Sequence, residues 1–178
     1  FDLKFDLRKG SQAFFEIEGV LESKEDQLLT NLKGEFDRMP LAPLSAIGSS
    51  VFDSLRGTFS GPISLMGNLK EAQLLTRLNI TDGGIRFPYL GMDYTFNPEA
   101  TIEITQQAIQ FNDIILSDSE GITKTRLTGA IDHRYFKDYS LDLAIDTGDE
   151  PSLMLNTSYR DGALYYGKGL VTGTATVM

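Results

Sequence analysis

The 178-residue chain contains no cysteine and a single histidine. The first absence excludes disulfides, thiolate nucleophiles and cysteine-ligated zinc. It suits an oxidising compartment, where a stray thiol is a hazard, without requiring one. The second leaves His133 without a second imidazole, and a histidine-based zinc site normally needs more than one. No Gly-x-Ser-x-Gly elbow is present to frame a serine triad. His133 follows the alternating run Leu127, Gly129, Ile131 and reads as a half-exposed strand or turn residue.

Positive charge is also scarce. Sixteen Lys and Arg stand against 25 Asp and Glu, for a formal net charge of -9. No basic run exceeds two residues, which argues against nucleic acid, because phosphate binding needs clustered cations that displace counterions. The same shortage leaves no basic stripe for an anionic membrane surface. Long apolar runs are missing too. The longest uncharged stretch, Met39 to Phe52, is too short to cross a bilayer and carries Pro40 and Pro43. No signal peptide is evident. The Gly-rich stretch Gly57-Thr58-Phe59-Ser60-Gly61 lacks the lysine and the strand-to-helix setting of a phosphate loop.

The carboxylates form no catalytic pair. Asp142 with Asp146, and Glu16 with Glu18, lie at even spacing on a polar, solvated strand face; Asp149 and Glu150 are adjacent. Asp113, Asp118 and Glu120 cluster near a turn but lack the spacing and loop glycine of an EF-hand. Catalytic residues, metal ligands and cofactors are therefore all expected to be absent, and the chain is not expected to be an enzyme.

What is present is alternation. Hydrophobic residues make up 41% and charged residues 23%, ordinary for an ordered chain able to bury a core, and residues 1–178 read as a single β-rich segment. Phe1, Leu3, Phe5 and Leu7 alternate with Asp2, Lys4, Asp6 and Arg8; Ala13, Phe15, Ile17, Gly19 and Leu21 follow the same rule. So do Leu74, Thr76, Leu78 and Ile80, then Ile102 and Ile104, then Leu141, Leu143 and Ile145. Period two places each set on one face of a strand. Turn signals separate these runs: Lys9-Gly10-Ser11, Asp82-Gly83-Gly84, Asn97-Pro98, Asp118 to Gly121, Thr147-Gly148-Asp149 with Pro151, and Asp161-Gly162. Their spacing predicts about a dozen antiparallel strands. One segment departs from the pattern. Leu44, Ile47, Val51 and Leu55 recur at three and four, which predicts a short amphipathic helix from Pro43 to Leu55. An apolar-x-Gly triplet recurs at Gly34, Gly57, Gly61, Gly67, Gly129 and Gly173, as in a curved sheet that bends at glycine.

A sheet with one apolar face must cover it. The expected fold is all-β. The pattern leaves two forms open: a closed β-sandwich, or a curled antiparallel sheet whose apolar concave face stays available as a trough. A trough could take lipid. Burying a methylene is worth about 0.8 kcal/mol, so about thirty methylenes of a two-tailed lipid represent about 20 kcal/mol or more. The chain opens at Phe1 and closes at Met178, each inside an alternating run, so we expect a fragment of a longer protein, self-associating weakly through its open edges.

Three stretches resemble one family. The closing run Leu155 to Ala175 has Asn156-Thr157, an Asp161-Gly162 turn, Leu164-Tyr165-Tyr166-Gly167 and Thr172-Gly173. A second stretch is Leu55-Arg56-Gly57-Thr58-Phe59-Ser60-Gly61, continuing to Leu78-Asn79-Ile80 and Gly84 to Phe96. The third is Leu127 to His133 with Phe136-Lys137-Asp138. Together they resemble the translocation and assembly module TamB family of AsmA-like bridge proteins. Where that family often has Asn after the turn aspartate, this chain has Gly162, and both tolerate positive φ. The resemblance implies a β-taco with a hydrophobic groove. It implies a periplasmic location, as part of an inner-membrane-anchored protein of a Gram-negative bacterium. It also implies phospholipid transport in outer-membrane biogenesis and a far-end partner, an Omp85-type (TamA-like) barrel. On this reading Phe15, Ile17, Leu74, Leu78, Ile80, Ile102, Ile104, Leu141, Leu143 and Ile145 line the groove against acyl chains, and a charge at Leu78 or Leu143 should block lipid while sparing the fold. The alternative is a chaperone module that binds outer-membrane protein strands at its edges by β-augmentation.

Overall fold

The computed structural model describes residues 1–24, 27–46, 53–68, 73–118, 124–134, 138–159 and 165–177. Thirteen strands occur among them: β1 (Asp2–Lys9), β2 (Gln12–Lys24), β3 (Gln27–Pro40), β4 (Ser54–Asn68), β5 (Gln73–Phe87), β6 (Met92–Phe96), β7 (Thr101–Thr105), β8 (Ala108–Asp118), β9 (Lys124–Asp132), β10 (Ser140–Asp146), β11 (Ser152–Thr157), β12 (Gly167–Val171) and β13 (Thr174–Val177). Eleven of them form one antiparallel sheet, which runs β1-β2-β3-β4-β5, then β6 and β7, then β8-β9-β10-β13. The order is open, with β1 at one edge and β13 at the other. β11 and β12 pair separately as a two-stranded ribbon. The all-β fold expected from the alternation is observed, and of the two forms it left open the sheet takes the open, curled antiparallel one.

Two local expectations are corrected. The helix expected over Pro43 to Leu55 is a single 3-10 turn at Ala42–Ala46 at its start, while Leu55 already lies in β4; residues 47–52 lie outside the described residues. Leu55 pairs with Ile85 across the sheet, and that pairing overrides a weak helical spacing rich in Ser and Gly. The second is Asp82-Gly83-Gly84, which is not a turn between strands but a bulge inside β5. The turns at Asp118 to Gly121 and at Asp161-Gly162 fall largely or wholly outside the described residues.

Bulges explain how one face stays apolar over long strands. In a regular strand, residues an odd number apart lie on opposite faces. Yet Ile80 and Ile85 must both face the core, as must Phe36 with Met39 and Phe111 with Ile114. The register shifts at these three places: between Phe36 and Met39 in β3, opposite Arg56 to Thr58 in β5, and between Phe111 and Ile114 in β8. Each shift contains a non-glycine residue at positive φ, namely Arg38 (49°), Asp82 (51°) and Asp113 (52°). The extra residue restores the parity of the apolar set and sharpens the local bend. Neighbouring groups support each bulge. Ser60 Oγ accepts the Arg38 N–H at 2.8 Å, and Arg126 lies 3.7 Å from Asp113. Gly57 sits across from the β5 bulge with φ 94°, and a Cβ there would lie 2.6 Å from Asp82 O, so only glycine fits.

β6 and β7 share one place in the sheet. Both pair with β5 on one side and β8 on the other, β6 along Gly84–Phe87 and β7 along Leu75–Asn79. The expected Asn97-Pro98 turn loops out between them. Its gap is bridged: Ile80 N donates to Ala100 O at 2.9 Å, and Asn97 Oδ1 accepts from Ile115 N at 2.9 Å. The side chain supplies the acceptor that the looped-out main chain does not bring to the Ile115 N–H.

The core gathers on the apolar face of the sheet's centre. Phe59, Leu78, Ile80, Met92, Tyr94, Ile114 and Leu116 form one buried cluster with Leu41 and with Leu153 of β11. Residues of four successive sheet strands meet there, so this face is the inside of the curl. Tyr94 Oη donates to Leu153 O at 3.1 Å, which ties the ribbon onto the sheet. His133 is corrected as well. It is buried, 5% exposed, just beyond β9, with its N–H donating to Gln107 O at 2.7 Å and its ring edge-on to Tyr139.

Candidate functional site

Residues directly opposite in an antiparallel ladder point to the same face. The registers therefore trace rows across the sheet. One runs Leu7, Phe15, Phe36 and Gly61 over β1 to β4, and resumes through Leu78, Ile102, Phe111, Gly129 and Leu143. Beside it runs Phe5, Ile17, Gly34, Ile63, Thr76, Ile104, Ile109 and Ile131, the last opposite Leu141 in β10. A third includes Phe59 with Ile80, and Ile114 with Leu127 and Ile145. Leu74 closes a shorter row with Leu65 and Leu32. The sequence-derived set thus falls on one continuous face. For Leu141 this holds for its register position; its side chain lies outside the described residues.

The rows carry almost no polar atoms toward the face. Two threonines of this face turn back into the main chain: Thr76 Oγ1 donates to Pro62 O at 2.5 Å, and Thr30 Oγ1 to Gly67 O at 3.2 Å; Thr125, opposite Leu116, keeps its hydroxyl buried without a hydrogen-bond partner. Four phenylalanine rings cross β1 to β4 in a ladder, with centroids 6.1 Å apart for Phe5 and Phe15, 4.6 Å for Phe15 and Phe36, and 5.1 Å for Phe36 and Phe59. Sequence reading missed Phe36, Phe59 and Phe111 as members of this face. Phe36 extends the parity of Leu32 and Gly34, a signal hidden by the bulge at Arg38. At Gly61 a Cβ would lie 2.2 Å from Arg77 O, so β5 closes tightly over that point of the row.

Depth varies along the face. Leu78 and Ile80 are 7% and 2% exposed, filled over by the core cluster. A charge at Leu78 would therefore break the core, contrary to the expectation that it spares the fold. Ile102, Ile104, Leu143, Ile145 and Leu74 are half-buried. Toward β1 the face opens: Phe15 and Ile17 are half-buried, and Phe5 and Leu7 are 52% and 43% exposed.

The opposite face is charged. Lys4 lies 3.6 Å from its register partner Glu18, Arg77 3.4 Å from its partner Glu103, and Arg56 2.5 Å from Asp93. Such exposed pairs add little stability but keep this face in water. Among the described residues no group of three His, Asp or Glu is placed to hold a metal. The one strongly shifted proton among the described residues belongs to Tyr94, whose pKa is pushed up to about 12 by burial and by the carboxylate of Asp118, its register partner. Its hydroxyl ties Leu153, which is a structural duty.

No protein-family model, curated protein or solved structure matches the chain. No helix among the described residues is long and apolar enough to cross a membrane.

Proposed function

We propose that the chain is a periplasmic segment of an inner-to-outer-membrane bridge of the TamB kind, and that its apolar sheet face carries phospholipid acyl chains. The observation that supports this reading is the set of in-register apolar rows, half-exposed over β1 to β3 and free of outward hydroxyls. A smooth hydrocarbon face desolvates acyl methylenes at about 0.8 kcal/mol each and offers no polar anchor that would hold a lipid in one place. The headgroup would stay in water at the rim. The Omp85-type partner at the far end of the bridge rests on the family resemblance alone.

The test is photocrosslinking in cells, with a crosslinking amino acid at Phe15 or Ile17 on the open part of the face and at Glu16 or Glu18 on the charged face. Leu78 is unsuitable because it is buried. Phospholipid adducts at Phe15 and Ile17, and none at the glutamates, are expected. Protein adducts without lipid at Phe15 and Ile17 would overturn the reading in favour of a strand-binding module.

A further inference from the structure

The ribbon of β11 and β12 is set apart from the main sheet. Among the described residues no hydrogen-bonded ladder joins it to any other strand. In the chain it lies between β10 and β13, and those two pair with each other, Leu143 to Asp146 against Val177 to Thr174. A clasp closes that ladder at the foot of the ribbon. Thr147 N donates to Gly173 O at 3.1 Å, Gly173 N donates to Thr147 Oγ1 at 2.8 Å, and Gly148 N donates to Asp146 Oδ1 at 3.0 Å. The ribbon is thus an excursion from a finished strand pair, and it can leave the sheet with the β10–β13 ladder intact. Its foot also has room to turn. Gly148 and Gly173 stand at φ 65° and 120°, and a Cβ at either would meet nothing within 4 Å.

One strand of the ribbon does the covering. β11 lies against β6 and the 3-10 turn Pro88–Leu90. Its Ser152, Leu153 and Thr157 are buried, whereas β12 is largely exposed. On β6, Met92 and Tyr94 are buried in the same cluster as Leu153. The hydrogen bond from Tyr94 Oη to Leu153 O fastens β11, and Met154 Sδ lies 3.6 Å from the same hydroxyl. On β7, which shares the place of β6 in the sheet, Ile102 and Ile104 stay half-buried.

We propose that β11–β12 is a displaceable lid over the β6 part of the apolar face, latched by Tyr94 and swinging about Gly148 and Gly173. With the lid down, acyl chains have the open face over β1 to β3 and the half-buried rows through β7. With the lid up, Leu153 leaves its place in the cluster, and Met92 and Tyr94 join the accessible face. The site Leu153 vacates is a hydrocarbon site, so an acyl chain that fills it offsets the cost of exposing it to water. That occupant rests on the lipid reading above, whereas the hinge and the latch do not.

Paired spin labels test it, because the chain has no cysteine to compete. L170C on exposed β12 with L75C on the charged face of β5 reads the lid. Q110C with L75C reads the main sheet alone. Pulsed double electron resonance should give two distances for the first pair and one for the second. Tyr94→Phe removes the latch and keeps the ring, so it should shift the 170–75 ratio toward lid-up by about fivefold, with far-UV circular dichroism as the fold control. Oleate should shift it the same way. A single 170–75 distance throughout, a ratio indifferent to Tyr94→Phe or to oleate, or matching changes in the 110–75 pair would each overturn the lid. Photocrosslinking at Phe15 and Ile17 separates the two readings. Lipid captured there beside a ribbon that never moves would sink the lid alone. A ribbon that answers to Tyr94→Phe, with no lipid captured there, would sink the lipid reading and leave the hinge and latch standing.

Discussion

Truncation of isoleucine at two depths of the apolar face should give two different stabilities. Ile80 is 2% exposed within the core cluster. Ile80→Ala removes its transfer energy and leaves a cavity that the surrounding strands close only in part, for a loss of about 2–5 kcal/mol. Ile17 lies on the same face but is half-buried near the open β1 edge, with Gly34 opposite it. It loses roughly half of the ~1.5–3 kcal/mol that full burial brings and leaves no closed void, so Ile17→Ala should cost about 1 kcal/mol. Leu75 shares β5 with Ile80 but stands on the other face, 54% exposed; Leu75→Ala should stay within about 0.5 kcal/mol. Urea unfolding followed by far-UV circular dichroism orders the three, provided the slopes agree. Equal losses at Ile17 and Ile80 would refute the claim that the face is filled at its centre and open at its β1 end. A large loss at Leu75 would refute the assignment of the faces themselves.

Two other outcomes follow from local geometry. Asp82 holds the β5 bulge at φ 51°, so Asp82→Gly should leave stability nearly unchanged, whereas Asp82→Val should cost about 1–2 kcal/mol in the same unfolding assay. Tyr94 binds its proton more tightly folded than unfolded, with a pKa of about 12 against 10.0. Its contribution is therefore complete below pH 10 and is lost as pH rises from there through 12, by up to about 2 kcal/mol. Tyr94→Phe should flatten that slope in stability measurements from pH 9 upward, and an unchanged slope would assign the loss to other groups.

The strands were legible because period-two alternation is a direct image of a two-faced sheet. Phe15 with Ile17, Leu78 with Ile80, Ile102 with Ile104 and Leu143 with Ile145 each share the expected face. Bulges were not legible. A single Arg38 at positive φ leaves no sequence mark, and Asp82-Gly83-Gly84 uses residues that serve turns and bulges equally well. Leu44, Ile47, Val51 and Leu55 suggested a helix because four positions at three and four are a weak constraint, easily overruled when Leu55 finds Ile85 across the sheet. Depth was also invisible. Whether Leu78 is open or covered depends on the rest of its buried cluster, which draws members such as Leu41 and Leu153 from elsewhere in the chain. His133 was misjudged for the same reason, since alternation says nothing about what packs over a strand's end.

The shared place of β6 and β7 has a mechanical consequence. Among the described residues no hydrogen-bonded ladder joins β5 to β8 directly; the two halves of the sheet are stitched by two five-residue strands laid end to end. Tension applied across the sheet would meet long zippers at β2 to β5 and two short ones here. Short ladders part with fewer simultaneous bond losses, so, apart from the short edge ladder of β10 and β13, this seam would yield before the long ladders of β1 to β5, which would move as a panel.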